Sequence, residues 1–439
     1  MSSAPDLPSA ANICIVGAGP SGLALALSLA ARKIPFTIVD ALEEGHSGSR
    51  SVAVQSNGLE ALHTVSPQLV ADIVAAGMVC RRIRMLDGQA RTVLDLGIGA
   101  ALEGKTRFPF YLTIPQRQME ALMREHLQRM GASVHWRRRV SGMRPVDSGS
   151  RYELQFDSGE TLTAKYVVAA DGANSFVRDA AGIRYLDPRT KTDAVYEGKD
   201  DWDFFVVADV ELATPLPRTI PLDRIQMRVG RGALVLTAPF RVVHPDSKED
   251  VRIRLYLGVP RGADPPPRKP DAAYIQALVD NHGTIAKTDA ERPKIVRVLD
   301  SARFRATVGL AEQYLVRAAP TSDASAYVLL AGDSAHRHGP AGGQGLNVGV
   351  CDGCELGDAF AAVLSDGGDA AEQFTAYSNR RRGVAQRVIS MVLDMTAMEA
   401  SGPGWVDYFR TVAVWAACKV PFIARMMILQ MSGVGDMKR

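Results

Sequence analysis

A chain of 439 residues, 46% hydrophobic and 23% charged, is long enough for two interleaved domains and apolar enough to bury a cofactor. A formal net charge of +3, from 51 Lys and Arg against 48 Asp and Glu, excludes a nucleic-acid partner held by bulk electrostatics and argues against disorder. The five cysteines (Cys14, Cys80, Cys351, Cys354, Cys418) are odd in number and scattered, which points to a reducing, cytoplasmic setting rather than a disulfide framework.

Met1 to Ala11 is rich in Ser, Ala and Pro, without the basic region and apolar core of a signal peptide, and reads as a frayed leader. Asn12–Val16 then predicts a buried strand, Ser21–Arg32 an Ala/Leu-rich helix and Phe36–Val39 a second strand, together a β-α-β unit. Its turn, Gly17-Ala18-Gly19-Pro20-Ser21-Gly22, has G-x-G-x-x-G spacing, and Asp40 closes the second strand. Gly17 permits the tight turn, Gly19 the approach of backbone to a pyrophosphate, and Gly22 close helix-on-strand packing. The helix N-terminus stabilises the anion and Asp40 accepts from ribose hydroxyls, a pattern shared by NAD and FAD sites.

Gln116–Met130 is helical by its apolar spacing (Met119, Leu122, Met123, Leu127, Met130), with Pro115 before it and Gly131 after it. The basic run Trp136 to Arg139 reads as a solvated surface. Tyr152–Phe156, Thr161–Thr163 and Tyr166–Ala169 predict short strands around the turn Asp157-Ser158-Gly159. A second loop, Asp171 to Arg178, follows the last of them, so that Asp171 stands at the carboxyl end of a buried strand, where ligands of α/β sheets sit.

After Gly182 the pattern changes. Phe204–Val210, Ile225–Val229, Ala233–Pro239 and Val251–Leu257 alternate and are β-branched, which predicts an antiparallel sheet. Val259 to Pro270 is a Pro-rich surface excursion rather than a linker. Tyr327–Ala331 returns to the buried parallel-strand pattern and opens a third loop, Gly332 to Asn347. Asp333 there suits a ribityl hydroxyl. The run Pro340-Ala341-Gly342-Gly343-Gln344-Gly345-Leu346-Asn347 sets free backbone N–H groups and a helix N-terminus against an electron-rich acceptor. From Val348 the chain is predicted helical to its end, punctuated at Gly367-Gly368 and Ser401 to Gly404. Within Val412–Met431, Lys419, Pro421 and Arg425 break any bilayer-spanning run, so a packed terminal helix is favoured over peripheral membrane contact.

The segments GAGPSG, DGANSFVR and GDSAHRHGPAGGQGLN, in this order, resemble the class A flavin-dependent aromatic hydroxylases with the para-hydroxybenzoate hydroxylase fold. The phenol hydroxylase and pentachlorophenol monooxygenase branch is the most similar, over about Asn12 to Gly383. The resemblance implies a Rossmann-like α/β FAD-binding domain (1–75, 105–185 and 300–370) interleaved with a smaller antiparallel-sheet substrate domain (76–104 and 186–299) and a helical C-terminal region (371–439). It also implies FAD contacts at Arg50, within Ser49-Arg50-Ser51, and at Gln116, within Ile114-Pro115-Gln116. With these, the expected cofactor residues are Gly17, Gly19, Pro20, Ser21, Gly22, Asp40, Arg50, Gln116, Asp171, Gly332, Asp333, Pro340, Gly342, Gly343, Gly345, Leu346 and Asn347.

The implied activity is a monooxygenase that takes electrons from NAD(P)H and one oxygen atom from dioxygen, through a flavin C4a-hydroperoxide, for a phenolic, quinonoid or polycyclic aromatic substrate. The chain has no second strand, Gly-rich turn and helix unit for the reductant, and its length leaves no room for the thioredoxin-like domain of larger phenol hydroxylases. Where those enzymes carry an acid that assists phenol deprotonation, this chain has Val52, which argues against a simple phenol; a substrate already acidic, such as an enolised or polyhydroxylated ring, would not need that base, nor would an alkene that is epoxidised. Epoxidation of a terpenoid or prenylated substrate is the alternative within the family. A non-enzymatic binding module of this fold, as in the Rab escort group, is the alternative outside it. The flavin halogenases are excluded, because Trp136, Trp202, Trp405 and Trp415 form no W-x-W-x-I-P signature.

No catalytic acid or base stands out. His336, His338 and Tyr111 are the weak candidates, structural readings being favoured for His336 and Tyr111. Cys351-Asp352-Gly353-Cys354 has no partner pair and reads as helix interior rather than a metal or redox site, and Met391, Met395 and Met398 read as helix packing.

Overall fold

In the computed structural model, which describes residues 6–46, 48, 51–194, 204–230, 233–243, 249–259, 263–283, 288, 291–305, 307–339, 341–399, 415–416 and 420–437, buried apolar runs alternate with helices through the first third of the chain. That third holds β1 (Ala10–Val16), α1 (Pro20–Ala31), β2 (Thr37–Val39), β3 (Ala53–Val54), α2 (Ser56–Val65), α3 (Pro67–Ala76), β4 (Met78–Cys80), β5 (Arg82–Leu86), β6 (Thr92–Gly97), α4 (Ile98–Leu102), β7 (Tyr111–Thr113), α5 (Gln116–Arg129), β8 (Val134–His135) and β9 (Val140–Val146). The middle holds β10 (Arg151–Phe156), β11 (Thr161–Ala169), α6 (Phe176–Ala180), β12 (Tyr185–Leu186), β13 (Phe204–Leu212), β14 (Arg224–Gly230), β15 (Ala233–Val243), β16 (Glu249–Gly258), α7 (Ala272–Leu278) and β17 (Ile295–Arg305). Then come β18 (Gly309–Ala311), β19 (Leu315–Arg317), β20 (Tyr327–Leu330), β21 (His336–Arg337), α8 (Gly345–Leu364), α9 (Ala370–Glu399) and α10 (Pro421–Met431).

The main sheet runs β19-β20-β11-β1-β2-β8, with β10 beside β11 and β9 beside β10. The pairs β20 with β11, β11 with β1, β1 with β2 and β2 with β8 are parallel. Their register aligns the strand ends: Val16 lies opposite both Val39 and Ala169, and Ala169 opposite Leu330. The loops that follow β1, β11 and β20 therefore emerge side by side from one carboxyl edge, the usual ligand position of such sheets.

The two short strands expected at Thr161–Thr163 and Tyr166–Ala169 are one strand, β11. Its first half pairs with β10 and alternates in burial, and its second half pairs with β20 and is buried on both faces. This change of environment within one strand is what the sequence pattern displayed as a break.

Helix α1 is buried from Gly22 to Leu29 and packs on α8 through three glycines one turn apart. A Cβ at Gly349, Gly353 or Gly357 would stand 2.3 Å from Ser21 Oγ, 2.3 Å from Ser21 O or 2.1 Å from Ser28 Oγ. At Gly353 the clash is with backbone and could be relieved only by moving a helix, whereas at Gly349 and Gly357 the serine side chains would have to give way. Tyr166, Tyr327, Phe360 and Phe374 pack edge to face and stacked between β11, β20, α8 and α9, with centroids 5.0–5.7 Å apart.

The second large sheet runs β17-β13-β16-β15-β14-β5-β6. It is antiparallel as expected except that β14 and β5 are parallel. Strand β5 arrives from the first third of the chain rather than through a hairpin, so connection length does not dictate its direction. Arg254 of β16 and Asp209 of β13 stand directly opposite, joined by two bonds of 2.6 Å. Two further three-stranded sheets run β3-β7-β4 and β12-β18-β21.

The helix expected from Val348 begins at Gly345 and breaks before Ala370, and the expected punctuation at Ser401 to Gly404 lies outside the described residues. In the Pro-rich excursion, Pro266 and Pro270 are buried and their carbonyls accept from Arg303 Nη1 (2.8 Å) and Ser301 Oγ (2.7 Å). The Arg137, Arg138 and Arg139 side chains pair with Glu43, Glu160 and Asp157 on the surface. Among the described residues no helix is long and apolar enough to cross a membrane.

Candidate functional site

The loop after β1 is shaped by contact. Gly17 has φ +105°, and a Cβ there would lie 2.2 Å from the carbonyl oxygen of Ala170; one at Gly22 would lie 1.9 Å from that of Gly17. A side chain at Gly19 would meet no atom within 4 Å, and Gly19 caps α1 without a side-chain hydrogen bond, so the helix N-terminus opens onto free space. Pro20 starts the helix and Ser21 is wedged against Gly332 and Gly349. The Asp40 carboxylate accepts from Ala18 N–H (2.7 Å) and Leu42 N–H (2.8 Å), which fixes it beside the loop.

The loop after β11 carries a half-used carboxylate. Asp171 Oδ2 accepts from Val177 N–H at 3.2 Å, while Oδ1 is buried with no hydrogen-bond partner. Burial pushes this carboxyl above the usual range, against the lowering by hydrogen bonds from Ser175 and Val177. Gly172 beside it has φ +86° and open space around its missing side chain. Arg178 is buried, donates to the carbonyls of Ala173 (3.0 Å) and Ser334 (3.3 Å), and stacks 4.2 Å from the centroid of Tyr185. The Tyr185 hydroxyl donates to Asp333 O at 3.3 Å, so Arg178 and Tyr185 both tie to the backbone of the third loop.

The loop after β20 is held by a buried cluster. Gly332, at φ +66°, donates its N–H to Asp352 Oδ2 at 2.9 Å, and the same oxygen lies 2.6 Å from His336 Nε2. Asp352 Oδ1 accepts from Arg381 Nε at 2.5 Å; Arg381 also reaches Glu355 (2.9 Å) and Val348 O (3.1 Å). Burial alone would raise the Asp352 carboxyl, but Arg381 and His336 bring it below its usual range. The Asp333 side chain is exposed on the open side. Gly342 and Gly343 take φ +77° and +62°. Asn347, fully buried, accepts from Gln55 N–H (2.8 Å) and donates to Gly343 O (2.9 Å) and Ala53 O (3.2 Å), while Gln55 Nε2 donates to Gly342 O (2.6 Å). Helix α8 begins at Gly345 and Leu346 with no side-chain cap, and Gln344 donates to the carbonyl of Met431 at the end of α10.

Gln116, the first residue of α5, is bound to the Ser51 backbone. Its Oε1 accepts from Ser51 N–H (3.3 Å), its own N–H donates to Ser51 O (3.1 Å), and Arg254 Nη1 donates to that oxygen at 2.8 Å. Arg50 and Pro340 lie outside the described residues. Of the weaker candidates, His336 is 1% exposed and bound to Asp352, away from the open side. His338 has Nδ1 2.8 Å from Gly339 O, which only accepts, so Nδ1 carries the proton; Nε2 is buried without a partner, and burial holds the ring neutral. Tyr111 is buried on β7 with no partner for its hydroxyl, which burial pushes well up. Cys351 and Cys354 are free, buried thiols raised by burial, and among the described residues no His, Cys, Asp and Glu group could hold a metal.

Sequence reasoning missed Asp352, Arg381, Glu355, Gln55 and the Arg254–Asp209 pair. Arg381 sits in Arg380-Arg381-Arg382, which reads as a solvated helix face, and its partners are 26 and 29 positions away. The arrangement fits a long dinucleotide: open cradles over Gly19 and Gly172, an orphaned carboxylate oxygen at Asp171, and two uncapped helix N-termini along one edge.

Residues 10–203 and 299–392 match a family model described as FAD binding domain. The chain is 29% identical over 393 residues to 6-methylpretetramide 4-monooxygenase of Streptomyces rimosus, covering 89% of this chain and 62% of that protein. It is 30% identical over 392 residues to rifampicin monooxygenase of Rhodococcus hoagii, covering 89% and 71%. The chain thus spans less than two thirds of the first of these relatives. Its fold is that of p-nitrophenol 4-monooxygenase PnpA from Pseudomonas putida DLL-E4, with TM-score 0.78 at 20% identity over 98% of this chain and 100% of that one.

Proposed function

Because the chain belongs to the FAD binding domain family, we propose that it is an FAD-dependent monooxygenase, drawing electrons from NAD(P)H, that places one oxygen atom from dioxygen on a phenolic, quinonoid or polycyclic aromatic substrate. The observation that carries this reading is the alignment of three loops at one carboxyl edge: open space over Gly19 in the first, an orphaned carboxylate oxygen at Asp171 in the second, and an uncapped helix start after the third. Relatives whose names specify pretetramide and rifampicin as substrates support the polycyclic end of that range.

The Gly17–Gly22 backbone and the α1 N-terminus would hold the pyrophosphate, and Asp40 the adenosine ribose. Asp171 and Asp333 would accept from the hydroxyls of the linking chain, Gln116 and Arg50 would flank the flavin, and the Gly342–Asn347 backbone with the α8 N-terminus would face its electron-rich edge. When bound, FAD supplies the two-electron acceptor for the reductant and the place where dioxygen is activated. The protein's own contribution is position and dryness. His338 stays neutral and presents a lone pair, and the Tyr111 hydroxyl stays protonated as a donor. Val52 is buried beside Tyr111 in an apolar cluster with Phe240, Ile225 and Ile428. No carboxylate at position 52 takes a substrate proton, so the substrate suited to this site already carries an acidic or enolised oxygen.

The test is anaerobic mixing of the flavin-loaded protein with NADPH or NADH and a panel of simple phenols, quinones and polycyclic enols. A polycyclic enol is expected to speed flavin bleaching many-fold and, after admission of labelled dioxygen, to gain one labelled atom. Purified protein that takes up no FAD, or that never bleaches, would refute the reading.

A further inference from the structure

We infer that Asp352 is the positioning residue for the flavin half of the site, acting through the Gly332–Asp333 turn without facing the cofactor. The inference rests on the FAD reading above. Asp352 is fully buried in α8, and both its oxygens are used. Two of its donors, Gly332 N–H at 2.9 Å and His336 Nε2 at 2.6 Å, belong to the third loop; the other, Arg381 Nε at 2.5 Å, belongs to α9.

A carboxylate so placed is stable only with these donors, and each donor is drawn to it as strongly as it needs them. Gly332 is held from the other side as well, because its Cα faces Ser21 Oγ so closely that a Cβ would stand 2.2 Å away. Its φ of +66° is therefore set by a wall on one side and a charged acceptor on the other. The next residue is Asp333, whose exposed carboxylate has the ribityl role in the proposed function. Turning the Gly332 peptide turns Asp333 with it. Arg381 is anchored by Glu355, and Glu355 by Arg380 at 2.8 Å, so the acceptor cannot drift with the loop.

Two ligands separate this role from general support of the fold. ADP engages only the Gly17–Gly22 loop and Asp40, whereas FAD also engages the turn after β20. Asp352→Asn keeps the size but sets an amide N–H against one of the donors. It is expected to weaken FAD binding by about tenfold to a hundredfold, with ADP affinity unchanged within about twofold. His336→Asn removes one donor, leaves the other two, and is expected to weaken FAD selectively by a smaller factor; it carries the test if Asp352→Asn does not fold. Equal losses for FAD and ADP, or no loss for either, would overturn the role of Asp352. Wild-type protein that binds ADP and rejects FAD would instead overturn the cofactor reading.

Discussion

In the Gly17–Gly22 loop a methyl group has nowhere to go at two of three glycines, and Asp40 is the one carboxylate oriented there by backbone N–H groups. In the Gly332–Asn347 loop the backbone hangs from side chains instead: Asp352 and His336 at one end, Asn347 and Gln55 at the other. One loop is set by sterics, which pH and salt barely touch. The other is set by charges and amides whose strength depends on protonation and on partners far along the chain. In the proposed placement the rigid diphosphate would meet a fixed mould, and the flavin end a surface whose position can be tuned.

The sharpest challenge to this contrast is Gly22→Ala. With a Cβ 1.9 Å from Gly17 O, it should cost about 3 kcal/mol or more by urea unfolding, equally at pH 6 and pH 8. A variant with wild-type stability would show that the loop yields to a methyl group and would remove the contrast.

Acid should act on the other loop. The folded carboxyl of Asp352 lies below its unfolded value, so its contribution is present above the ordinary carboxylate range and is lost as pH falls through the folded value. Asp352→Asn is accordingly expected to destabilise by about 3 kcal/mol at pH 7, the gap to wild type narrowing below about pH 4. Asp171 has the opposite sign: raised by burial, it favours the fold below its unfolded value and loses that contribution as pH rises through the folded one. A gap for Asp352→Asn that stays constant with pH would mean that shape rather than charge holds the third loop.

The smallest effect belongs to Gly19→Ala. Its φ of −74° suits any residue and no atom lies within 4 Å, so stability should change by less than about 0.5 kcal/mol while FAD affinity drops. Undiminished FAD affinity would move the pyrophosphate elsewhere.

What the chain displays locally could be read in advance. The β1-α1-β2 unit, α5 and the three strand-end loops declare themselves because an apolar run, a glycine turn and a helix start are adjacent in sequence. The continuity of β11 across its change of environment and the parallel pairing of β14 with β5 were not legible, since both depend on which strand edges are free after folding. The Asp352 cluster was hidden for a related reason. Asp352 lies inside a Cys-x-x-Cys spacing and Arg381 inside an arginine run, and nothing local tells a buried arginine from a solvated one.

Ser28 of α1 and Cys354 of α8, whose hydroxyl and carbonyl meet at 3.5 Å, are 326 residues apart. During synthesis α1 leaves the ribosome with a run of eight residues destined for burial, and the glycine-faced helix that packs on them follows only after the intervening strands and helices have been made. Until α8 is made, the nascent chain carries an incompletely covered apolar helix, which leaves it open to aggregation and to chaperone capture. On the proposed placement the same delay would order cofactor loading, because the loop assigned to the diphosphate precedes by more than 300 residues the loop assigned to the flavin.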